Sequence, residues 1–444
     1  MAALIVCGSG PFAARHACCL AGESASDAIS SAESLTVNPP KSAIVGSNPE
    51  WPRTWQLSPG VTFRLRGRID TDAIWSSQSP ANIATFGNLG DVVGLRRAWI
   101  GAEGEIGDRA RYITEIDLAS GNVVPRDIFV ALGKPEEDGE YRAGHFREPF
   151  SLEGGTPSKY FAFMERSPVN LLDPARNWGL GLFRAAPSEN STFALGAFHA
   201  GTDAGDFQGG EGSTVGLTGR LTATPINEGN GERLLHLGIA LSERVPENGV
   251  IIINQQPLNP LLDLGDSSTS PFVPVIRIPA KFQQLINLQF AHANGPFWTQ
   301  AEWYGTIINQ TGAGDVFFHG CHVDCGYFVT GEHRGYQNVN GVFGPVKVSR
   351  PFLRGPAGRD REPGWGAWEL TARFAYLDFF DPNTPTGPSG QLVGIRLPAA
   401  TFGVNWYLAD HLRVMFNYSY EVPNEANTGS SVANIFGTRL AVFW

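Results

Sequence analysis

The 444-residue chain has a net charge of −10, only 17% charged residues, 53 glycines, 11 tryptophans and three methionines. The acidic balance argues against a nucleic-acid partner held through its phosphates, and no run of 18 apolar residues offers a membrane-spanning helix. Of 33 basic residues only five are lysines, at 41, 134, 159, 281 and 347, which leaves 28 arginines. Arginine suits planar, two-pronged contact with phosphate or carboxylate, although a GC-rich genome produces the same bias.

Residues 1–55 are expected to be an export signal and flexible lead-in, and residues 56–444 a single β-barrel. The first 25 residues hold an apolar stretch, Ala2–Cys7, and small residues at Ala21, Gly22, Ser24 and Ala25. No Lys or Arg precedes that stretch, and Arg15 and His16 interrupt the region, which departs from the usual signal pattern. A misplaced start codon is the expected explanation of the departure. Residues 26–55 are rich in Ser and Pro and read as a linker.

From residue 61 the chain alternates with period two. Val61, Phe63, Leu65 and Ile69 interleave with Arg64, Arg66, Arg68 and Asp70; later runs begin near 214, 235, 297, 368 and 412. Each is about ten residues, the length of a tilted strand across a bilayer. Short connectors near 104–108, 134–140, 186–191, 224–232, 293–296 and 409–411 tend to alternate with long ones near 76–94, 151–178, 200–212, 246–283, 308–325, 379–398 and 423–432. A barrel with short turns at one end and long loops at the other has this rhythm. The segment 333–365 breaks it, being long where a short turn is expected. Cys321 and Cys325 flank His-Val-Asp in an expected loop, where they would form a disulfide or stand as two free thiols; with His319, His322 and Asp324 they offer zinc ligands as a second reading. The last strand places Phe436, Thr438, Leu440, Val442 and Trp444 on one face and Gly437, Arg439 and Ala441 on the other. An apolar face ending on an aromatic carboxyl terminus fits a strand against lipid.

The expected fold is therefore all-β, a transmembrane antiparallel β-barrel of about 16 strands. The competing reading is a secreted or surface β-protein that binds glycans through its aromatics. A barrel turns apolar strand faces outward and arginine-rich faces inward; a soluble β-protein does the reverse.

Several stretches resemble a known family, in order and spacing. They are Leu95-Arg-Arg-Ala-Trp-Ile100, Phe146 to Arg166, Gly295 to Tyr304, Thr330-Gly-Glu, Gly366 to Leu370 and Phe402 to Tyr407. Together they resemble the phosphate-selective porins O and P of bacterial outer membranes. The resemblance implies a trimeric 16-stranded barrel with a long loop folded into the pore as a constriction and an arginine ladder leading to it. It also implies that the aromatic C-terminal strand is read by the outer-membrane assembly machinery. By position, Arg96 and Arg97 match paired strand arginines, Trp99 stands where the family has Tyr, and Asp127 matches an acidic constriction residue. Lys159 and Arg166 match basic residues of the infolded loop. Gly154 stands where the family has lysine, and the family's lysine-rich vestibule has little counterpart here.

The residues themselves suggest how such a pore would work. Arg64, Arg66 and Arg68 share a face about 7 Å apart, a spacing that would pass an oxyanion from one guanidinium to the next. Arg97 and Trp99 share a face of the next strand, Asp127 would orient nearby arginines, and Arg220 lies on another polar face. The expected function is an outer-membrane porin passing small anions passively, phosphate favoured, as a homotrimer in contact with lipid; a general or organic-solute porin is the alternative. No P-loop, Gly-x-Ser-x-Gly or His-Glu-x-x-His motif points to an enzyme, and neither a cofactor nor a metal is called for.

Overall fold

A computed structural model describes residues 53–201, 212–253, 272–353, 362–387 and 390–444. The expected export signal and most of the lead-in, and parts of the connectors near 200–212, 246–283 and 379–398, lie outside the described residues.

Sixteen strands form a closed antiparallel barrel. The first eight are β1 (Val61–Gln78), β2 (Val92–Ile106), β3 (Ala110–Asp117), β4 (Val124–Lys134), β5 (Gly139–Arg147), β6 (Arg176–Ala185), β7 (Ser191–Ala200) and β8 (Thr214–Glu228). The second eight are β9 (Arg233–Pro246), β10 (Ile276–Asn294), β11 (Phe297–Gln310), β12 (Val316–Phe328), β13 (Ala367–Asp378), β14 (Ile395–Ala409), β15 (Leu412–Glu421) and β16 (Ala433–Phe443). Each pairs with its neighbour in sequence, and β16 closes the ring on β1 from Arg68↔Phe443 to Gln78↔Ala433. Closure leaves no unpaired edge in lipid, which an open sheet could not survive.

The strand faces decide between barrel and soluble protein. On β16, Phe436 and Leu440 are 43% and 48% exposed while Arg439 is 1% exposed. On β10, Leu288 and Phe290 point out, and Asn287 and Gln289 are buried. Apolar side chains therefore face the membrane and polar ones the lumen, the reverse of a soluble core. The ring of Trp444 lies against Gly67, where any side chain would collide with it, and the terminal backbone bonds to Gly67 at 3.0 Å in both directions.

Connector lengths sort by end as expected, with two differences. The stretch 308–325 is not a long loop: β11 runs to Gln310 and β12 begins at Val316. The long segment between β12 and β13 belongs to the short-turn end, which is periplasmic by the usual rule, and it folds into the lumen as a hairpin of Arg334–Gln337 and Val342–Val346. At the other end, loop residues Phe86, Leu89, Phe150, Val169, Leu172, Ile251, Phe272 and Val273 form one apolar cluster with inward strand residues. Much of the lumen is thus filled by the protein's own connectors.

Candidate functional site

The loop 148–175, between β5 and β6, crosses the lumen. Ser151 caps a short helix, Leu152–Gly155, accepting from Gly154 N at 2.8 Å. The buried N–H groups of Leu152 and Glu153 at the helix start donate to the Glu302 carboxylate of β11 at 2.8 and 2.6 Å. From Phe161 to Ser167 the chain is irregular and has no ladder partner, so its backbone groups must be met some other way. Inward side chains of the wall and hairpin meet them. Arg334 donates to Tyr160 O (3.3 Å), Arg413 to Phe161 O (2.5 Å), Asn405 to Ala162 O (2.7 Å), Arg439 to Met164 O and Arg373 to Glu165 O (3.1 Å). Met164 N donates to Asn417 Oδ1 at 2.7 Å. A hydrogen bond from a charged donor contributes about 1.5–3 kcal/mol net, so the row fixes the loop firmly.

Most of the strand arginines face carboxylates. Arg64, at the periplasmic rim, meets Glu103 with its side chain 46% exposed. Arg66 bridges Glu103 and Glu115 at 2.8 and 2.9 Å. Arg68 pairs with Asp70 at 2.6 Å and holds Ser158 Oγ of the loop at 2.7 Å. On β2, Asp70 faces Arg97 and Thr71 faces Leu95, so Arg96 is the extra residue of a β-bulge. Adjacent residues on a regular strand point to opposite faces; the bulge brings both arginines onto Glu165, a loop carboxylate that sequence reasoning did not single out. Glu165 also takes Arg439 at 2.6 Å. Burial alone would raise its pKa, but the guanidiniums of Arg96, Arg97 and Arg439 hold the carboxyl well below its usual range. Asp127 binds Arg176 through both oxygens, at 3.0 and 2.9 Å. Trp99 has the guanidiniums of Arg68, Arg126 and Arg176 over its ring at 5.8, 5.3 and 5.8 Å.

A cavity of about 420 Å³ opens between this loop, the β1–β8 wall and the hairpin. Ten basic side chains line it against four carboxylates, Glu103, Glu115, Asp127 and Glu148. Of the sequence candidates, Arg66, Arg68, Trp99, Asp127, Lys159, Arg166 and Arg220 are in the lining; Arg64, Arg96 and Arg97 are not. Arg220 is tied to the hairpin tip, donating to Asn340 O (3.2 Å) and Gly341 O (2.8 Å).

Lys159 and Arg166 are the two cations of the loop itself, and neither forms an ion pair among the described residues. Lys159 lies over the rings of Tyr160 and Phe443 at 5.4 and 5.6 Å. Burial, reinforced by the nearby Arg66 guanidinium, pulls its ammonium down to about 8. Arg166 lies 4.5 Å over Phe161 and donates to Gly154 O at 3.2 Å. It also lines a second cavity of about 50 Å³ among Ile74, Phe163, Thr401 and Ser419. Arg166 thus stands where the two spaces meet. At Gly154 a side chain would collide with Asp173 and Ser151, so the loop has no room for the lysine that the family resemblance implies there.

Of the cysteine readings, the disulfide is corrected and the two free thiols remain. Cys321 and Cys325 are free and lie on β12, four residues apart on one outward face. That separates them by about 13 Å along the strand, beyond the ~7 Å Cα reach of a disulfide. His322 and Asp324 point inward, away from them, so the zinc reading fails too; among the described residues no group of His, Cys, Asp and Glu is arranged to hold a metal. His322 instead joins a buried network with Asp324 (3.0 Å) and Glu302 (3.5 Å), and Arg373 bridges Asp324 and Glu153 at 2.7 and 2.6 Å.

A closed barrel with lipid-facing apolar strand faces, a polar lumen and an infolded loop defines an outer-membrane porin channel. The sequence model of the phosphate-selective porin O and P family matches residues 63–442, and the chain belongs to that family. An uncharacterized protein of Caulobacter vibrioides is 28% identical over 385 residues, covering 82% of this chain and 70% of that protein. Among solved structures, the anion-selective porin from Comamonas acidovorans aligns with TM-score 0.52 at 12% identity, over 86% of this chain and 99% of its own. The loop L8 deletion mutant of OmpT from Vibrio cholerae aligns with TM-score 0.51 at 12% identity, over 87% and 100%. These structures share the fold.

Proposed function

We propose that this outer-membrane channel passes small anions passively, with phosphate and similar oxyanions favoured, and that it assembles as a trimer. The observation that carries this reading is the pair Lys159 and Arg166, cations without carboxylate partners on the infolded loop, in a lining where basic side chains outnumber carboxylates ten to four. The chain as a whole is acidic, so the excess is local. A permeating anion sheds part of its hydration and must regain hydrogen bonds without being trapped. Two charged donors at about 1.5–3 kcal/mol each are enough for partial desolvation and too few for permanent capture. The paired arginines add donors while their carboxylates limit the depth of the well.

Two printed descriptions support the reading: the family is termed phosphate-selective, and one structural relative is an anion-selective porin. A trimer form is described for OmpT, whose fold aligns with TM-score 0.50. We assign residues 1–55 to an export signal and lead-in and 56–444 to the barrel. The test is chloride current through reconstituted channels with added phosphate. Block at millimolar phosphate or below is expected, and Arg166→Ala should raise the half-blocking concentration; an unchanged block would remove Arg166 from the path.

The glycine at 154 and the scarcity of lysine favour a second reading, a channel for organic solutes.

A further inference from the structure

We propose that the periplasmic vestibule also binds organic oxyanions carrying a flat aromatic body, such as aryl carboxylates or aryl phosphonates, and holds them more tightly than their alkyl counterparts. The inference rests on the anion reading above and names the ligand class of the same cavity.

Size is the first argument. A tetrahedral oxyanion displaces only on the order of two or three waters, each with about 30 Å³ of liquid volume. The vestibule holds about 420 Å³, within the range of small-molecule sites, roughly 300–1,000 Å³.

The second argument is the character of the β4–β7 wall. Inward positions of a porin lumen are ordinarily polar, yet here they carry Phe129, Phe146 and Phe183, which line the cavity, and Phe198, buried behind them. Phe146 lies edge-on to the other three, with ring centroids 5.7, 5.9 and 5.4 Å away. Inward-facing Gly181 and Gly196 leave room for these rings: a side chain at Gly181 would press on Phe183, and one at Gly196 on Phe198. The aromatics therefore lie along the wall and keep the space open. Apolar surface inside a watery lumen brings no benefit to a small hydrated ion. It does favour a ligand with an apolar part.

The third argument is that cations and rings are interleaved. The Arg142 guanidinium sits 3.7 Å over Phe183 and 5.4 Å from Phe129 while still lining the cavity. Glu140 fixes it there. A guanidinium held in this way offers a planar cationic surface on which an aromatic ring stacks. Lys159 and Arg166 take the anionic group. Bare phosphate uses only the cations; an aryl anion uses both halves of the site.

The test compares blockers of equal charge on the full protein reconstituted in a bilayer. Inorganic phosphate, methylphosphonate and phenylphosphonate are added to the short-turn side, and block of the chloride current is recorded. Phenylphosphonate should half-block at a concentration at least tenfold below that of methylphosphonate. Phe183→Ala should abolish that advantage, whereas Phe183→Tyr should retain it. Equal half-blocking concentrations in the unmodified protein overturn the proposal, and so does an aryl advantage that survives Phe183→Ala. The reversal potential in a KCl gradient separates the two levels. Chloride preference without an aryl advantage defeats this inference alone; potassium preference defeats the anion reading and this inference with it.

Discussion

Arg334 joins the periplasmic hairpin to the constriction loop, and its removal tests whether one positions the other. Its guanidinium lies 4.3 Å from the Trp298 ring and 3.8 Å from that of Phe343, and donates to Tyr160 O at 3.3 Å. The side chain is buried and has no ion pair among the described residues. A long charged hydrogen bond stands near the low end of about 1.5–3 kcal/mol, and each desolvated ring contact adds on the order of 1 kcal/mol. Arg334→Ala therefore removes an anchor of about 3–4 kcal/mol. The clamps on Phe161, Ala162, Met164 and Glu165 remain, so the loop should not leave the lumen. Instead the turn bearing Lys159 should become mobile. In single-channel recordings, conductance should rise by less than twofold, open-channel noise should increase, and the half-blocking phosphate concentration should rise several-fold. Arg334→Lys keeps the charge without the planar stack and should restore only part of the block. Unchanged noise and unchanged block in Arg334→Ala would refute the coupling.

Other outcomes follow from the same geometry. Lys159 is charged below its pKa of about 8 and neutral above it, so chloride selectivity should fall as pH rises through 8, and Lys159→Met should flatten the profile; a flat wild-type profile from pH 6 to 10 would exclude the role. Arg439→Met leaves Asp72 and Glu165 short of a partner in a buried network, a loss of about 3–5 kcal/mol, and should lower by several degrees the temperature at which the folded form converts in SDS gels. Gly67→Val drives a side chain into Trp444 beside the closing seam and should cut the yield of folded protein; normal assembly would show that the contact is dispensable. Thiol alkylation after unfolding without reductant should modify both Cys321 and Cys325, because they are too far apart to bridge.

The legible parts of the fold are those with a local period. Strands such as β1 and β16 announce themselves by alternation, and Arg439 falls on the lumen side as alternation requires. The same rule failed at Arg96. Strict alternation sends it to lipid, and only a bulge brings it beside Arg97; two adjacent arginines on a membrane strand were the available hint. β12 was mistaken for a loop because Gly320, Cys321, His322, Asp324, Cys325 and Gly326 suggest a turn, although Phe317, Val323 and Tyr327 already mark an outward face. The clamps were illegible for a deeper reason. Arg334, Arg373 and Arg413 hold backbone carbonyls of a loop distant in sequence, and a carbonyl carries no residue identity to read. Lys159 and Arg166 were visible through the family resemblance, but that neither meets a carboxylate among the described residues required the positions of Glu103, Glu115 and Glu165.

The central claim is that the lumen selects anions although the chain is acidic. The most direct measurement is the reversal potential of the reconstituted channel across a KCl gradient near neutral pH. The account predicts a potential set by chloride, shifted toward zero selectivity by Lys159→Met together with Arg166→Ala; a potential set by potassium would contradict it.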